Sequence, residues 1–195
     1  MSSANRGSAR HPLDAYYTPD ALARALVGTL DLPTGSVVWE PHAGGGAFVR
    51  ALHAAGHRIY ASDLNYEADG LREAGVVAGW AQNALTGWTA PLQRPDWIVG
   101  NPPYDNAEAH VRAALATARV GVAFLLRLAF LEGARRRHLF ADYPPAEVHV
   151  LVERPSFTGQ GTDSSAYGWF VWRRGHEGPP TLHWLSWRRR EATGG

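Results

Sequence analysis

The chain has 195 residues, a formal net charge of +1, 45% hydrophobic residues and 19% charged residues. This length and balance predict one globular domain with a sizeable core and exclude a disordered chain. Cysteine and lysine are both absent from the sequence, which excludes disulfides, thiolate metal sites, a P-loop lysine and a Schiff-base lysine.

The predicted elements begin after an N-terminal lead, residues 1–13, which lacks the hydrophobic core of a signal sequence and which we expect to be flexible. A helix is predicted next, with Thr18 as its cap and Pro19 in its first turn. Leucines at every fourth position from 22 to 30 give this helix one apolar face. No apolar run approaches the roughly 18 residues of a membrane span. We therefore expect no membrane association, and the lack of cysteine suits a cytoplasmic protein.

Strands and helices are predicted to alternate along the rest of the chain. The predicted strands are SVVWE, RIYASD, VVAGW, DWIVG, VGVAFLLRL, AEVHVLVER and AYGWFVWRR, and TLHWLSW is a candidate for one more. The predicted helices are AFVRALHAAG, YEADGLREAG, NAEAHVRAALATA and LEGARRRHLF. This order predicts an α/β fold, a Rossmann-like, seven-stranded and mostly parallel sheet with helices on both faces. The last strands lack an intervening helix, which predicts an antiparallel strand at one edge.

These elements predict a single domain over residues 14–187, followed by a basic, flexible tail over residues 188–195. Several unusual polar loops fall where predicted strands end, namely EPHAGGG, SDLN, AQNALT and GNPPY. In open parallel sheets, ligands bind beyond the carboxyl ends of the strands. The sequence therefore predicts a ligand site at that rim.

The loop EPHAGGG has the features of a nucleoside-binding turn. The glycines at 44–46 let the backbone pass close to a ligand, and the helix that follows presents free N–H groups. Asp63 ends the second strand about 20 residues later, where an acid can hold ribose hydroxyls. Glu40 and Pro41 replace the first glycine of the dinucleotide pattern. Each feature alone also fits an ordinary turn, and together they favour a nucleoside cofactor.

The loop GNPPY places two rigid hydrogen-bond acceptors at the end of the fourth strand. Asn101 offers a side-chain carbonyl, Pro102 offers a backbone carbonyl, and Pro103 stiffens the turn. Two fixed acceptors suit an amine that carries two hydrogens, and Tyr104 supplies a ring for stacking. The alternative is a proline-rich turn whose asparagine caps the next helix.

With these motifs in this order, the chain resembles the class I S-adenosylmethionine-dependent methyltransferases. EPHAGGGAF, Asp63 and NPPY resemble in particular the small phage and bacterial DNA adenine-N6 methyltransferases. The segment YYTPDALARALV resembles the part of those enzymes that covers the cofactor, and the likeness runs from about Asp14 to Trp172. The resemblance implies the class I methyltransferase fold, S-adenosyl-L-methionine as cofactor, and methyl transfer to the N6 amine of adenine in DNA.

The resemblance also implies a role for each matching residue. The residues expected to bind the cofactor are Tyr17, Thr18 and Pro19 at its border, Glu40, Pro41, Ala43, Gly44 and Gly46 around its methionine part, Asp63 at the ribose, and Asn83 near the adenine amine. Asn83 departs from the family, which often has an acid there. The residues expected to act in catalysis are Asn101, Pro102, Pro103 and Tyr104. Those expected to pack on a base turned out of the duplex are Tyr104 and Phe157, and Phe157 fits a buried hinge of the following loop equally well.

Other functions remain open on the sequence. RNA adenine and a protein glutamine are alternative substrates, since NPPY also occurs in enzymes that modify release factors, and a non-catalytic module with a decayed site is a third reading. No separate recognition domain is predicted, so specificity comes from short loops or from a protein partner, or is low. The histidines show no ligand spacing, so no metal site is predicted. Three arginine clusters, at residues 135–137, 173–174 and 188–190, either contact phosphate or form part of the solvated surface.

Overall fold

The computed structural model describes residues 17–84, 86–157 and 163–188. The expectations for the N-terminal lead and for the tail beyond Arg188 fall outside these residues. Within the described ranges, no helix combines the length and the hydropathy that a membrane crossing requires.

The described chain forms one eight-stranded sheet flanked by four helices. The strands are β1 Val37–Glu40, β2 Arg58–Asp63, β3 Val76–Ala81, β4 Trp97–Gly100, β5 Gly121–Arg127, β6 Glu147–Leu151, β7 Tyr167–Arg173 and β8 Thr181–Leu185. The helices are α1 Asp20–Val27, α2 Ala47–Ala54, α3 Ala107–Thr117 and α4 Arg137–Asp142. The strand order is β3-β2-β1-β4-β5-β7-β6-β8, which confirms the predicted α/β fold with a mostly parallel sheet.

The antiparallel strand lies inside the sheet rather than at its edge, which corrects that part of the prediction. β7 pairs antiparallel with β5 on one side and with β6 on the other. Because no helix connects β6 to β7, the chain turns back and β7 runs antiparallel beside β6. TLHWL forms β8, an eighth strand that pairs parallel with the outer side of β6. The sheet therefore has one strand more than the seven predicted.

The helix predicted after β2 is not formed, and only a single 3-10 turn, Asp69–Leu71, occurs there. The α-carbon of Gly70 packs so closely against the glycine loop that a Cβ would lie 2.5 Å from the carbonyl oxygen of Ala43. The N–H of Gly70 donates to the carbonyl oxygen of Gly44 at 2.9 Å. These contacts hold the segment against the loop in place of a helix.

Two other helix predictions need correction at their starts. The N-cap of α1 is Pro19, in an extended conformation and without a side-chain cap, so the prediction that Thr18 caps the helix is wrong. The helix predicted from LEGARRRHLF forms only in its second half, as α4, after two 3-10 turns.

Two apolar layers enclose the sheet and position its rim. On one face, α1 and α2 bury Leu22, Leu26 and Phe48 against the sheet. On the other face, α3 packs Val111 in a cluster with Phe124. Because β1, β2 and β4 run parallel, the loops after their carboxyl ends meet at one edge of the molecule.

Candidate functional site

The glycine loop between β1 and α2 forms the floor of a pocket. Gly44 and Gly46 have positive φ values of 45° and 78°, which favour glycine. The ring of Tyr17 lies over the loop, because a Cβ on Gly45 would come within 3.0 Å of its Cδ1 atom. The pocket joins the N-terminal segment, the loop and the NPPY turn, and its lining residues are Tyr17, Thr18, His42, Ala43, Gly44, Gly45, Ala47, Phe48 and Asn101.

Asp63 ties the glycine loop to the end of β2. Its Oδ2 accepts a hydrogen bond from the N–H of Gly44 at 2.8 Å, and its Oδ1 accepts one from the N–H of Asn65 at 2.8 Å. Asp63 therefore stabilises the turn after β2, as an ordinary turn residue would. Each carboxylate oxygen has a second lone pair, so the same side chain can also accept ribose hydroxyls.

Glu40 is a buried carboxyl at the carboxyl end of β1, with 1% of its surface exposed. Its Oε1 accepts a hydrogen bond from the N–H of His42 at 3.3 Å. Its Oε2 has no hydrogen-bond partner among the described residues. The side chain lies directly over Gly100, where a Cβ would be 2.2 Å from Oε1. The glycine that ends β4 thus provides the space for the Glu40 carboxyl beside the NPPY turn.

Burial raises the pKa of Glu40 well above its usual value, and the nearby Asp63 adds to the rise against the lowering effect of the His42 N–H. Between the unfolded pKa of about 4.3 and the raised folded pKa, the folded chain holds the extra proton. Its stability therefore falls as pH rises through that window.

We expect Glu40→Gln to remove this pH dependence, because the amide does not titrate. The difference in unfolding free energy between the variant and the unsubstituted chain should move in favour of the variant as pH rises. It should change by about 1.4 kcal/mol for each unit by which the folded pKa exceeds the unfolded one. Urea unfolding of both proteins at several pH values from 4 to about 8 measures the difference. If the difference in unfolding free energy did not change with pH, the raised pKa of Glu40 would be wrong.

Asn101 has both ends of its side-chain amide engaged at the rim. Its Nδ2 donates to Thr18 Oγ1 at 3.2 Å, and its Oδ1 accepts from the hydroxyl of Tyr104 at 2.8 Å. Pro102 is buried, and Pro103 precedes a 3-10 turn over Tyr104–Asn106. Thr18, which the sequence predicted as a helix cap, thus orients the amide so that its oxygen faces Tyr104.

The surroundings of Tyr104 include side chains that the sequence interpretation missed. The Arg127 guanidinium lies 4.9 Å from the centre of the Tyr104 ring, and the Tyr167 ring lies 5.5 Å from it. The hydroxyl of Tyr167 in turn donates to Asp163 at 2.6 Å. Burial raises the pKa of Tyr104 well above its usual value, so its hydroxyl stays protonated and can donate. The one available signal for Arg127 was its position at the carboxyl end of β5.

A second missed feature is a histidine pair formed by one residue of the glycine loop and one residue of α3. His42 Nε2 and His110 Nδ1 are 3.0 Å apart, so one ring donates to the other. Burial lowers the pKa of both rings, that of His110 to about 4, which keeps the pair neutral. The hydrogen bond connects the glycine loop to α3, the helix that follows NPPY.

The other predicted residues lie in three parts of the structure. Asn83 lies exposed in the turn after β3, where its Oδ1 accepts from the N–H of Thr86 at 3.4 Å. Phe157 is buried with 7% of its surface exposed and packs edge-on against the Tyr167 ring at 5.1 Å. The Tyr167 ring therefore contacts both Phe157 and Tyr104. Pro41 and Ala43 lie buried at the start of the glycine loop, and Pro19 lies partly buried at the start of α1.

Arginines of the clusters at 135–137 and 173–174 make contacts within the chain. Arg136 donates to the carbonyl oxygens of residues 129, 130 and 132. Arg173 donates to Glu147, and Arg174 donates to the carbonyl oxygen of Ala118 at 2.8 Å. These contacts favour a structural role for the three side chains over the predicted alternative of phosphate contacts.

Comparisons with known proteins support the fold. No family model matches the sequence. The chain is 33% identical over 92 residues to the type II methyltransferase M.TthHB8I of Thermus thermophilus, a match that covers 45% of this chain and 20% of that protein. This chain therefore corresponds to a small part of that relative.

Two solved structures extend over most of the chain. One is the methyltransferase subunit of a type I restriction-modification system from Streptococcus thermophilus, with a TM-score of 0.67, 14% identity, and coverage of 88% of this chain and 47% of that one. The other is a Pyrococcus horikoshii protein designated an RNA methyltransferase, with a TM-score of 0.64, 12% identity, and coverage of 83% and 85%. The predicted methyltransferase fold is thereby confirmed.

Proposed function

We propose that this chain, which has the class I methyltransferase fold, transfers a methyl group from S-adenosyl-L-methionine to the N6 amine of adenine in DNA. The observation that carries the proposal is the position of Asn101. Its side chain lines the pocket of the glycine loop, and its oxygen faces Tyr104 at the rim. The likeness to a type II methyltransferase and to a type I restriction-modification subunit supports DNA as the substrate.

The residues present fit the proposed cofactor. The glycine loop forms a cradle that side chains would fill, since a Cβ on Gly45 would press on Tyr17. Oε2 of Glu40, buried next to the NPPY turn and without a partner in the described chain, is a polar atom whose hydrogen bond a bound ligand can complete. When bound, S-adenosylmethionine supplies a methyl group on a positively charged sulfur, so a metal ion or a covalent enzyme intermediate is not required.

Asn101 and Pro102 would act on the target amine as hydrogen-bond acceptors. The lone pair of an adenine amine is drawn into the ring, which makes the nitrogen a poor nucleophile. Two acceptors that hold its hydrogens direct the lone pair away from the ring plane and toward the methyl group. The nitrogen gains the methyl group and loses one hydrogen, which leaves as a proton to water. In the structure the Tyr104 hydroxyl donates to Asn101 Oδ1, so the incoming amine would replace this donor.

Tyr104 would contribute through its ring more than through its hydroxyl. We expect Tyr104→Ala to lower kcat/KM by the roughly 1–3 kcal/mol that one base–aromatic stack contributes, which is about 5- to 150-fold. Tyr104→Phe should retain most of the activity, because the ring remains and Asn101 Oδ1 loses a competing donor. Steady-state kinetics on one duplex measures both variants. Equal losses in the two variants would show that the hydroxyl is the required group.

The function itself is tested by transfer of a tritiated methyl group from S-adenosylmethionine to unmodified DNA, RNA and protein. Digestion of the labelled product and separation of the nucleosides identify the modified position. We expect label in N6-methyladenine from DNA. Label only in RNA would favour the second candidate, an RNA adenine methyltransferase, which the likeness to the Pyrococcus horikoshii structure supports. Label only in protein would overturn both, in favour of a glutamine amide.

Target choice is the part of the proposed function that we assign to a partner protein. The described sheet and its connections contain no additional recognition domain between residues 17 and 188. The type I subunit that resembles this chain is itself one subunit of a restriction-modification system. High sequence preference of the isolated chain for one DNA site would contradict the assignment.

A further inference from the structure

Three metal-ligating side chains meet on one face of the sheet, at the edge formed by β6 and β8. Glu147 and His149 are two residues apart on β6, so their side chains point to the same face. In the parallel pairing of β6 with β8, His149 lies opposite His183. One potential ligand atom from each of the three residues lies within 4.8 Å of the others. The sequence spacing gave no sign of this group, because His149 and His183 come together only through strand register.

The contacts within this group direct a carboxylate oxygen toward a histidine ring nitrogen. His149 Nε2 is 3.0 Å from Glu147 Oε2, and the rings of His149 and His183 are stacked with their centres 4.7 Å apart. Arg173 donates to the other carboxylate oxygen, Oε1 of Glu147, at 3.0 and 3.1 Å. The arginine therefore holds the carboxylate so that Oε2 faces the histidines, as outer-shell partners do for metal ligands.

The group of three residues is open to solvent on the His183 side, so an ion can enter from there. His149 is 7% exposed, Glu147 is partly buried and His183 is exposed. A tetrahedral zinc ion with bonds of about 2.0–2.1 Å holds its ligand atoms roughly 3.4 Å apart. Binding would require a rotation of the His183 side chain, which is exposed and has space to turn. A water molecule from the solvent side would complete the four ligands.

We propose that Glu147, His149 and His183 bind a divalent transition-metal ion of the zinc class, which fastens the edge strand β8 to β6. A set of two imidazoles and one carboxylate favours zinc and the related transition-metal ions. Calcium and magnesium favour sites made of oxygen ligands alone. The residues at all five positions of β8 are exposed or partly exposed, so an ion that bridges the two strands would add stability where side-chain burial adds little. This site lies on strands remote in the sheet order from β1 and β4, and it does not depend on the proposed methyl transfer.

The test uses the full chain with zinc chloride, followed by calorimetric titration and thermal unfolding. His183→Gln removes one ligand at an exposed position, and His138→Gln on α4 is the matched control, since His138 is also exposed. We expect one ion per chain and an upward shift of Tm in the unsubstituted protein and in the control. His183→Gln should lose more affinity than the roughly 10- to 100-fold that loss of an outer-shell partner costs. Its Tm without metal should match that of the unsubstituted protein.

Cobalt(II) provides a second measurement that reports on ligand geometry. We expect the unsubstituted chain and His138→Gln to give the visible absorption of a low-coordinate cobalt site, and His183→Gln to lose it. Equal zinc affinity in His183→Gln and the unsubstituted chain would overturn the proposal, as would the absence of saturable binding to the unsubstituted chain. The assay needs neither cofactor nor nucleic acid, so its result is independent of the methyl-transfer test.

Discussion

Asn101→Ala is expected to lower the rate of methyl transfer by about 100- to 1,000-fold, the usual loss when one oriented polar group at a reacting centre is removed. The affinity for S-adenosylmethionine should stay nearly unchanged, because the acceptor acts on the target amine. Single-turnover labelling gives the rate, and a calorimetric titration with the cofactor gives the affinity. If cofactor affinity fell as far as the rate, the acceptor role of Asn101 would be wrong.

Two control variants separate the acceptor role of Asn101 from its contact with Thr18. Asn106→Ala removes an exposed asparagine whose side chain does not cap α3, and it should leave the rate unchanged. Thr18→Val breaks the 3.2 Å hydrogen bond to Asn101 Nδ2 but keeps the acceptor oxygen. We expect a smaller loss of rate for Thr18→Val than for Asn101→Ala, because the amide loses its orientation but not its oxygen.

Gly100→Ala is expected to destabilise the fold by about 1–3 kcal/mol, the typical effect of overpacking a core. The added methyl group would lie 2.2 Å from Glu40 Oε1 and 3.0 Å from its Cδ atom, in a region with little space for either group to move. A loss of 1 kcal/mol lowers Tm by about 2–4 °C in a chain of this size. Urea and thermal unfolding measure the effect.

The cause of that destabilisation can be isolated with a second substitution. Glu40→Ala removes the carboxyl that the methyl group of Gly100→Ala would strike, so the double variant should lose much less stability than the sum of the two single variants. Gly87→Ala is the control, since its Cβ would meet nothing closer than 3.7 Å, and it should change stability by less than about 0.5 kcal/mol. Additive effects of Gly100→Ala and Glu40→Ala would contradict the close contact.

The local structure that was predicted correctly around the candidate site is encoded by short stretches of sequence. Gly44 and Gly46 adopt the left-handed conformations that glycine favours, and the loop they form follows β1 as expected. The apolar run that ends at Gly100 is a buried strand, and NPPY follows it at the rim. In these segments the chemistry of neighbouring residues decides the local backbone, so a pattern in the sequence suffices.

Contacts between distant segments explain the errors. Thr18 has the chemistry of a helix cap, yet its hydroxyl accepts from Asn101, which is 83 residues away. The segment around Gly70 has a helical pattern, but its packing against Ala43 leaves a single 3-10 turn. Propensity stabilises a short helix by too little to compete with such contacts.

By itself, the sequence determined the alternation of strands and helices, the glycine loop, the acid that ends β2 and the NPPY turn that follows β4. The tertiary structure alone decided that β7 lies between β5 and β6, that Glu40 is buried over Gly100, and that Arg127 lies beside Tyr104. It alone also brought His183 opposite His149. The physical reason is that periodicity and turn chemistry act over a few residues. Strand order, register and burial depend on pairings across the whole chain, whose energies no local pattern records.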